Sequence, residues 1–108
     1  MSPPLGDLEQ LVLLAVLRLG REAYGIAVQQ EIVERGGRDV ALGAVYSALS
    51  RLEQKGLVLT TIGPPTPVRG GRRKKLYRVS GAGREALRET LDTLRALSRG
   101  LAPRLKLS

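Results

Sequence analysis

The sequence predicts a mainly α-helical fold with one two-stranded β-hairpin, an α+β class, and three observations lead there. Apolar residues recur at the helical period in four separate segments, and a glycine follows each. Between the third and fourth segments the pattern changes to short β-branched runs separated by glycine and proline. Hydrophobic residues make up 43% of the chain and aromatics only 3%, so a core is available and it is aliphatic. At 108 residues the chain holds one domain of modest core and is too short for two ordinary ones.

Residues 5–19 read as the first helix. Leu8, Leu11, Val12, Ala15 and Leu19 share one face, and Leu13, Leu14, Val16 and Leu17 fill much of the rest. A helix apolar nearly all round is buried on most sides, in the core or against a second subunit. Gly20 suits the position after its last turn. Tyr24 to Arg35 reads as a second helix, with Ile26, Val28 and Ile32 apolar, ended by Gly36-Gly37. Leu42 to Lys55 reads as a third, with a buried stripe of Leu42, Val45, Leu49 and Leu52 and Gly56 as terminator.

Two strands follow, Leu57 to Ile62 and Lys75 to Val79, with Gly63-Pro64-Pro65-Thr66-Pro67 and Gly70-Gly71 in the loop between them. Ser80 is placed to cap a fourth helix reaching Arg99, with Leu87, Leu91, Leu94 and Leu97 apolar. Gly100 and Pro103 mark its end, and Arg104 to Ser108 reads as a frayed tail. Three helices, a hairpin and a further helix make a winged helix-turn-helix: residues 1–79 form the winged unit and 80–108 a C-terminal dimerisation helix and tail, all one compact body. One copy of the last helix has too few neighbours to hide Leu87, Leu91, Leu94, Leu97 and Leu101 together, which points to a partner helix.

In such a fold the second helix of the motif enters the DNA major groove, so its outer face must carry groups that seek bases and phosphates. Opposite the apolar stripe that face centres on Ser47, flanked by Gly43, Ser50, Arg51 and Gln54. Gly43, Ala44 and Ser47 are small enough for close approach. Ser47, Ser50 and Gln54 can hydrogen-bond to base edges or phosphates, and Arg51 can do so bidentately. Tyr46 sits at the edge of the stripe, where its ring can pack while its hydroxyl reaches a phosphate. The plain alternative is a core helix with a polar outer side.

Charge favours the first reading. The net charge is +8, and residues 63–79 alone hold six lysines and arginines with no acid, whereas residues 1–62 hold six against seven acids. Arg69, Arg72, Arg73, Lys74 and Lys75 therefore form a basic wing, able to follow the phosphate backbone or enter a narrow minor groove. Phosphate contacts carry no sequence information, so the wing is expected to set affinity and the third helix specificity.

Other functions start far behind. The chain has no cysteine and no histidine, which removes disulfides, thiolate ligands, most metal sites and the usual nucleophile–base pairs. An enzyme would have to rely on Asp7, Glu9, Glu31, Glu34 or Glu53 as isolated carboxylates. No cofactor or metal is expected. The longest apolar run, Leu11 to Leu17, is far shorter than the ~20 residues of a membrane span. No signal-peptide pattern is present either, so the expectation is a cytoplasmic protein with no membrane partner. A winged-helix protein-interaction or RNA-binding accessory module is the alternative to a DNA-binding regulator.

From about Leu5 to Leu97 the chain resembles the PadR-type transcriptional regulators. Leu5-Gly6-Asp7-Leu8-Glu9 with the apolar run from Leu11 is similar to the family's opening helix, and Tyr24-Gly25-Ile26 to its entry into the second. Val45-Tyr46-Ser47-Ala48-Leu49-Ser50-Arg51-Leu52-Glu53-Gln54-Lys55-Gly56-Leu57-Val58 is similar to the recognition helix and its exit. Gly71 to Val79, then Gly83-Arg84-Glu85-Ala86-Leu87, resembles the second strand and the start of the last helix. The resemblance implies a homodimeric bacterial regulator, usually a repressor, on a palindromic operator in double-stranded DNA. It also implies that the last helix packs on the partner's first and last helices, which assigns Leu8, Leu11, Val12, Leu87, Leu91, Leu94, Leu97 and Leu101 to the interface. Ala41 stands where the family often has a capping serine, leaving Asp39 as a substitute cap. Ala44 and Ser50 replace residues that often carry a hydroxyl or positive charge. With neither Trp nor Phe in the chain, effector stacking on an interface tryptophan does not carry over, and an aliphatic pocket for a small apolar effector at the dimer interface is what is left.

Overall fold

The computed structural model describes residues 4–63 and 74–106. Helix α1 (Asp7–Leu19) leads through a short 3-10 turn (Gly20–Glu22) to α2 (Gly25–Glu34) and α3 (Leu42–Gln54). Strands β1 (Val58–Ile62) and β2 (Lys75–Val79) come next, then α4 (Gly81–Ser98) and a last helical turn, α5 (Ala102–Leu105). The architecture is the winged helix-turn-helix that the element order implies.

The core lies where α1, α2 and α3 meet the inner side of the hairpin. Val12, Leu13, Val28, Val45, Leu49, Leu52, Leu57 and Val58 are fully buried there. At about 25 cal/mol per Å² of apolar area, burying an aliphatic side chain of this size contributes ~1.5–3 kcal/mol. Ile26, predicted to share the apolar face of α2, is instead half exposed, because α1 and α3 cover only the Val28 and Ile32 side.

The strands pair antiparallel, with Val58 opposite Val79 and Ile62 opposite Lys75. Ala23 and Tyr24 add a third edge: Tyr77 N–H donates to Ala23 O at 2.8 Å, and Tyr24 bridges to Leu76. The hairpin root is thereby tied to the entry of α2. The exit of α3 is equally well fixed. Gly56, at φ 74°, takes a left-handed conformation, Leu57 N–H donates to Leu52 O at 2.8 Å and Gly56 N–H to Glu53 O at 3.0 Å. This glycine-terminated helix end turns the chain directly into β1.

Three terminal details differ from the sequence reading or complete it. Asp39 does not cap α3: the N-cap is Ala41, in extended conformation, with no side-chain bond. Pro103 does not simply stop α4. It lies in the first turn of α5, where a missing N–H costs nothing, so part of the expected tail is helical. Ser80 does cap α4, its hydroxyl accepting from Gly83 N–H at 3.0 Å. Only the first half of α4 is packed, with Gly83, Ala86 and Leu87 buried against the rest of the fold.

Candidate nucleic-acid interface

α3 presents to solvent the face that its periodicity assigns. Gly43, Ala44, Tyr46, Ser47, Ser50, Arg51 and Gln54 are all exposed, while Val45, Ala48, Leu49 and Leu52 are buried beneath them. Among the described residues the side chains of Ser47, Ser50 and Gln54 have no hydrogen-bond or ionic partner, so they are available to a ligand. The Tyr46 side chain packs against the start of α2. Its ring lies so close to Gly25 that a Cβ there would collide with it, while the residue keeps 44% of its surface. Gly25 is thus what lets the start of α2 approach α3.

Around this face runs a set of charged contacts. Lys74 Nζ sits 3.9 Å above the centre of the Tyr24 ring, an attraction of cation and π-face that fixes one leg of the wing against α2. Lys75 Nζ lies 3.3 Å from Glu53 Oε1, and Thr60 Oγ1 donates to Glu53 Oε2 at 3.2 Å, linking both strands to α3. Lys75 is therefore partly neutralised, unlike the unpaired wing cation the sequence suggests. Arg69, Arg72 and Arg73 lie outside the described residues.

The sequence reading treats Glu9 only as an isolated carboxylate, and the structure gives it a position at the edge of this face. It is 4% exposed. Gly6 N–H donates to Oε1 at 2.7 Å, and Lys55 Nζ donates to Oε1 at 3.0 Å and Oε2 at 2.8 Å. Arg51 Nε lies 3.9 Å from Oε2. Burial alone pushes this carboxyl up, but the Lys55 hydrogen bond, the Gly6 N–H and the two nearby cations outweigh it and hold it below the usual glutamate range. The available signal was Glu9 standing three residues after Gly6, where a side chain reaches back to the first free N–H of a helix. Its partner Lys55, forty-six positions away, left no local trace.

The residues assigned to a subunit interface divide into two groups. Val12 and Leu87 are buried in the chain's own core. Leu8, Leu11 and Leu91 are half-buried at the core edge. Leu94 and Leu97 are 51% and 74% exposed, and Leu101 borders on exposure. Leu17 and Leu105, which the sequence reading leaves out of the interface, are exposed as well. Among the described residues no three His, Cys, Asp or Glu residues gather as a metal site, and no helix is long and apolar enough to cross a membrane.

Comparison with known proteins places this arrangement. Residues 13–89 match the model of the transcriptional regulator PadR-like family. The chain is 37% identical over 78 residues to the transcriptional regulator Rv3488 of Mycobacterium tuberculosis, an alignment covering 72% of this chain and 68% of that protein. It is similar in fold to a PadR-like transcriptional regulator of Bacillus cereus, with TM-score 0.71, 22% identity and coverage of 94% and 93%. A PadR family transcriptional regulator of Eggerthella lenta gives TM-score 0.68 at 28% identity, over 92% and 84% of the two chains. Family match, relative and fold agree, and the chain belongs to the PadR-like family of transcriptional regulators.

Proposed function

We propose that this regulator is a cytoplasmic homodimeric repressor that binds palindromic double-stranded operator DNA through α3 and the basic segment 63–75. The observation that carries the proposal is the outer face of α3: small residues, three unpartnered polar side chains and Arg51, on a helix whose other side is locked into the core. Dimerisation is supported by Leu94, Leu97, Leu101 and Leu105, apolar side chains that one chain leaves in water. Two recognition helices would then address half-sites ~34 Å apart, one turn of DNA.

The test separates the two binding elements. Replacing Arg72 and Arg73 by Ala should weaken binding to every sequence and flatten the salt dependence by ~0.9 for each phosphate no longer neutralised. Replacing Ser47 or Gln54 by Ala should change base preference, by ~1–3 kcal/mol for each well-formed hydrogen-bonded pair. A wild type with no preference for its own promoter over mixed-sequence duplex would overturn the proposal in favour of an RNA-binding or protein-interaction module. A small effector has support in a groove of about 470 Å³ between the end of α1, the hairpin and the start of α4. Val16, Leu17, Leu76 and Tyr77 line it, and Arg21, Arg78 and Arg84 stand around it with no ion pair among the described residues.

A further inference from the structure

Arg51 and Lys55 follow Ser47 by one and two helical turns, so they lie on the same edge of α3, about 40° and 80° round from it. Both point to one carboxylate. Glu9 is buried under the C-terminal half of α3, and Lys55 occupies both of its oxygens. Arg51, half exposed and 3.9 Å away, is the looser member of the group. Any phosphate approaching this edge of α3 competes with Glu9 for these cations. Phosphate attraction is blind to sequence, so a built-in competitor lowers the affinity for all DNA while leaving base contacts at Ser47 and Gln54 untouched. Discrimination is a difference of affinities, so a term shared by all sequences cancels from it, and what this competitor sets is the overall strength of binding.

We propose that Glu9 limits the strength of the DNA interface, its buried carboxylate holding Arg51 and Lys55 back from the phosphate backbone. The inference rests on the DNA-binding role proposed above. Glu9→Gln is the informative change. The amide keeps one oxygen for Gly6 N–H and for Lys55 at the same chain length, removes the charge and turns the second acceptor of Lys55 into an N–H donor. A purely structural role for Glu9 would make this variant bind all DNA more weakly. The proposal requires the opposite for unspecific DNA.

The measurement is binding of the full chain to a duplex selected by the wild type from random pools, and to a mixed-sequence duplex of equal length, across a salt series. Glu9→Gln should tighten mixed-sequence binding about two- to fivefold, the range an exposed charge pair supplies. Its salt slope should steepen by up to ~0.9 for each of the two cations released, binding to the selected duplex should tighten by a similar factor, and adding Arg51→Ala should remove part of the gain. In the native background Arg51→Ala should change the slope by much less than the ~0.9 of a fully engaged cation, a readout that stands even if Glu9→Gln does not fold. A folded Glu9→Gln with unchanged or weaker mixed-sequence binding, or a slope change of the full ~0.9 in Arg51→Ala, overturns the inference while leaving operator binding intact. A wild type that binds neither duplex overturns the DNA-binding role and this inference together.

Discussion

Gly83→Ala tests how α4 is joined to the rest of the fold. A Cβ on Gly83 would press into the carbonyl oxygen of Leu57 and lie 2.8 Å from Val79 Cγ1. The first obstacle is backbone held by the α3 exit and β1, so the side-chain repacking that usually relieves such a collision is closed. α4 has to move away instead. That strains Ser80 N–H to Leu57 O at 3.0 Å and Ser80 Oγ to Gly56 O at 2.7 Å. Overpacking costs ~1–3 kcal/mol and each weakened hydrogen bond about 1, against about 1 recovered by replacing glycine with alanine in a helix. The net loss is about 3 kcal/mol, or a melting point lower by more than ~10 °C in a domain of this size. Gly81, two residues earlier, has open space around its own Cβ position, so Gly81→Ala is the matched control and should be neutral or slightly stabilising. Thermal and urea unfolding followed by circular dichroism, at one protein concentration, compares the two. Equal midpoints for Gly81→Ala and Gly83→Ala would refute the claim that backbone contact sets the position of α4.

Gly25→Ala pushes on the free end of the Tyr46 side chain rather than on backbone, so it should cost ~1 kcal/mol or less in stability. It should nevertheless weaken DNA binding, about fivefold for each ~1 kcal/mol of misplaced contact, in a fluorescence-anisotropy titration. Unaltered affinity would mean that Tyr46 placement is irrelevant to binding. Leu97→Glu, at a 74% exposed position, should leave the melting of the protomer nearly unchanged but give a monomer by sedimentation. An unaltered mass would place the interface elsewhere. The carboxyl of Glu9 is held below its unfolded value, so its contribution to stability is present above the ordinary glutamate range and is lost as pH falls through that range and below. Acid unfolding of Glu9→Gln should therefore lack part of the wild-type pH dependence, and identical acid profiles would show that Glu9 contributes none.

The helices and strands were legible because each is periodic in its own short stretch of chain. Leu42, Val45, Leu49 and Leu52 announce both the buried side of α3 and, by exclusion, its exposed one. Capping was legible only where the residue itself carries the chemistry, as Ser80 does. Asp39 has the right chemistry and lies two residues too early to meet the N–H groups of α3, whose N-cap is Ala41. The leucines that the sequence assigns to a subunit interface were only partly sorted, because apolar residues of one helix look alike whether they enter the core or stay at its surface. Val12 and Leu87 are inside, whereas Leu94 and Leu97 are not.

What the sequence determined by itself is the order of elements, the polar face around Ser47, Arg51 and Gln54, and the concentration of positive charge between residues 63 and 79. These follow from local period and composition, which need no knowledge of distant neighbours. What only the tertiary structure decided is which charges are already answered. Glu9 meets Lys55 and Arg51, Glu53 meets Lys75, and Tyr24 lies beneath Lys74. Electrostatic energy depends on separation in space, and contacts spanning twenty to fifty residues exist only once the hydrophobic core has brought α1, α3 and the hairpin together.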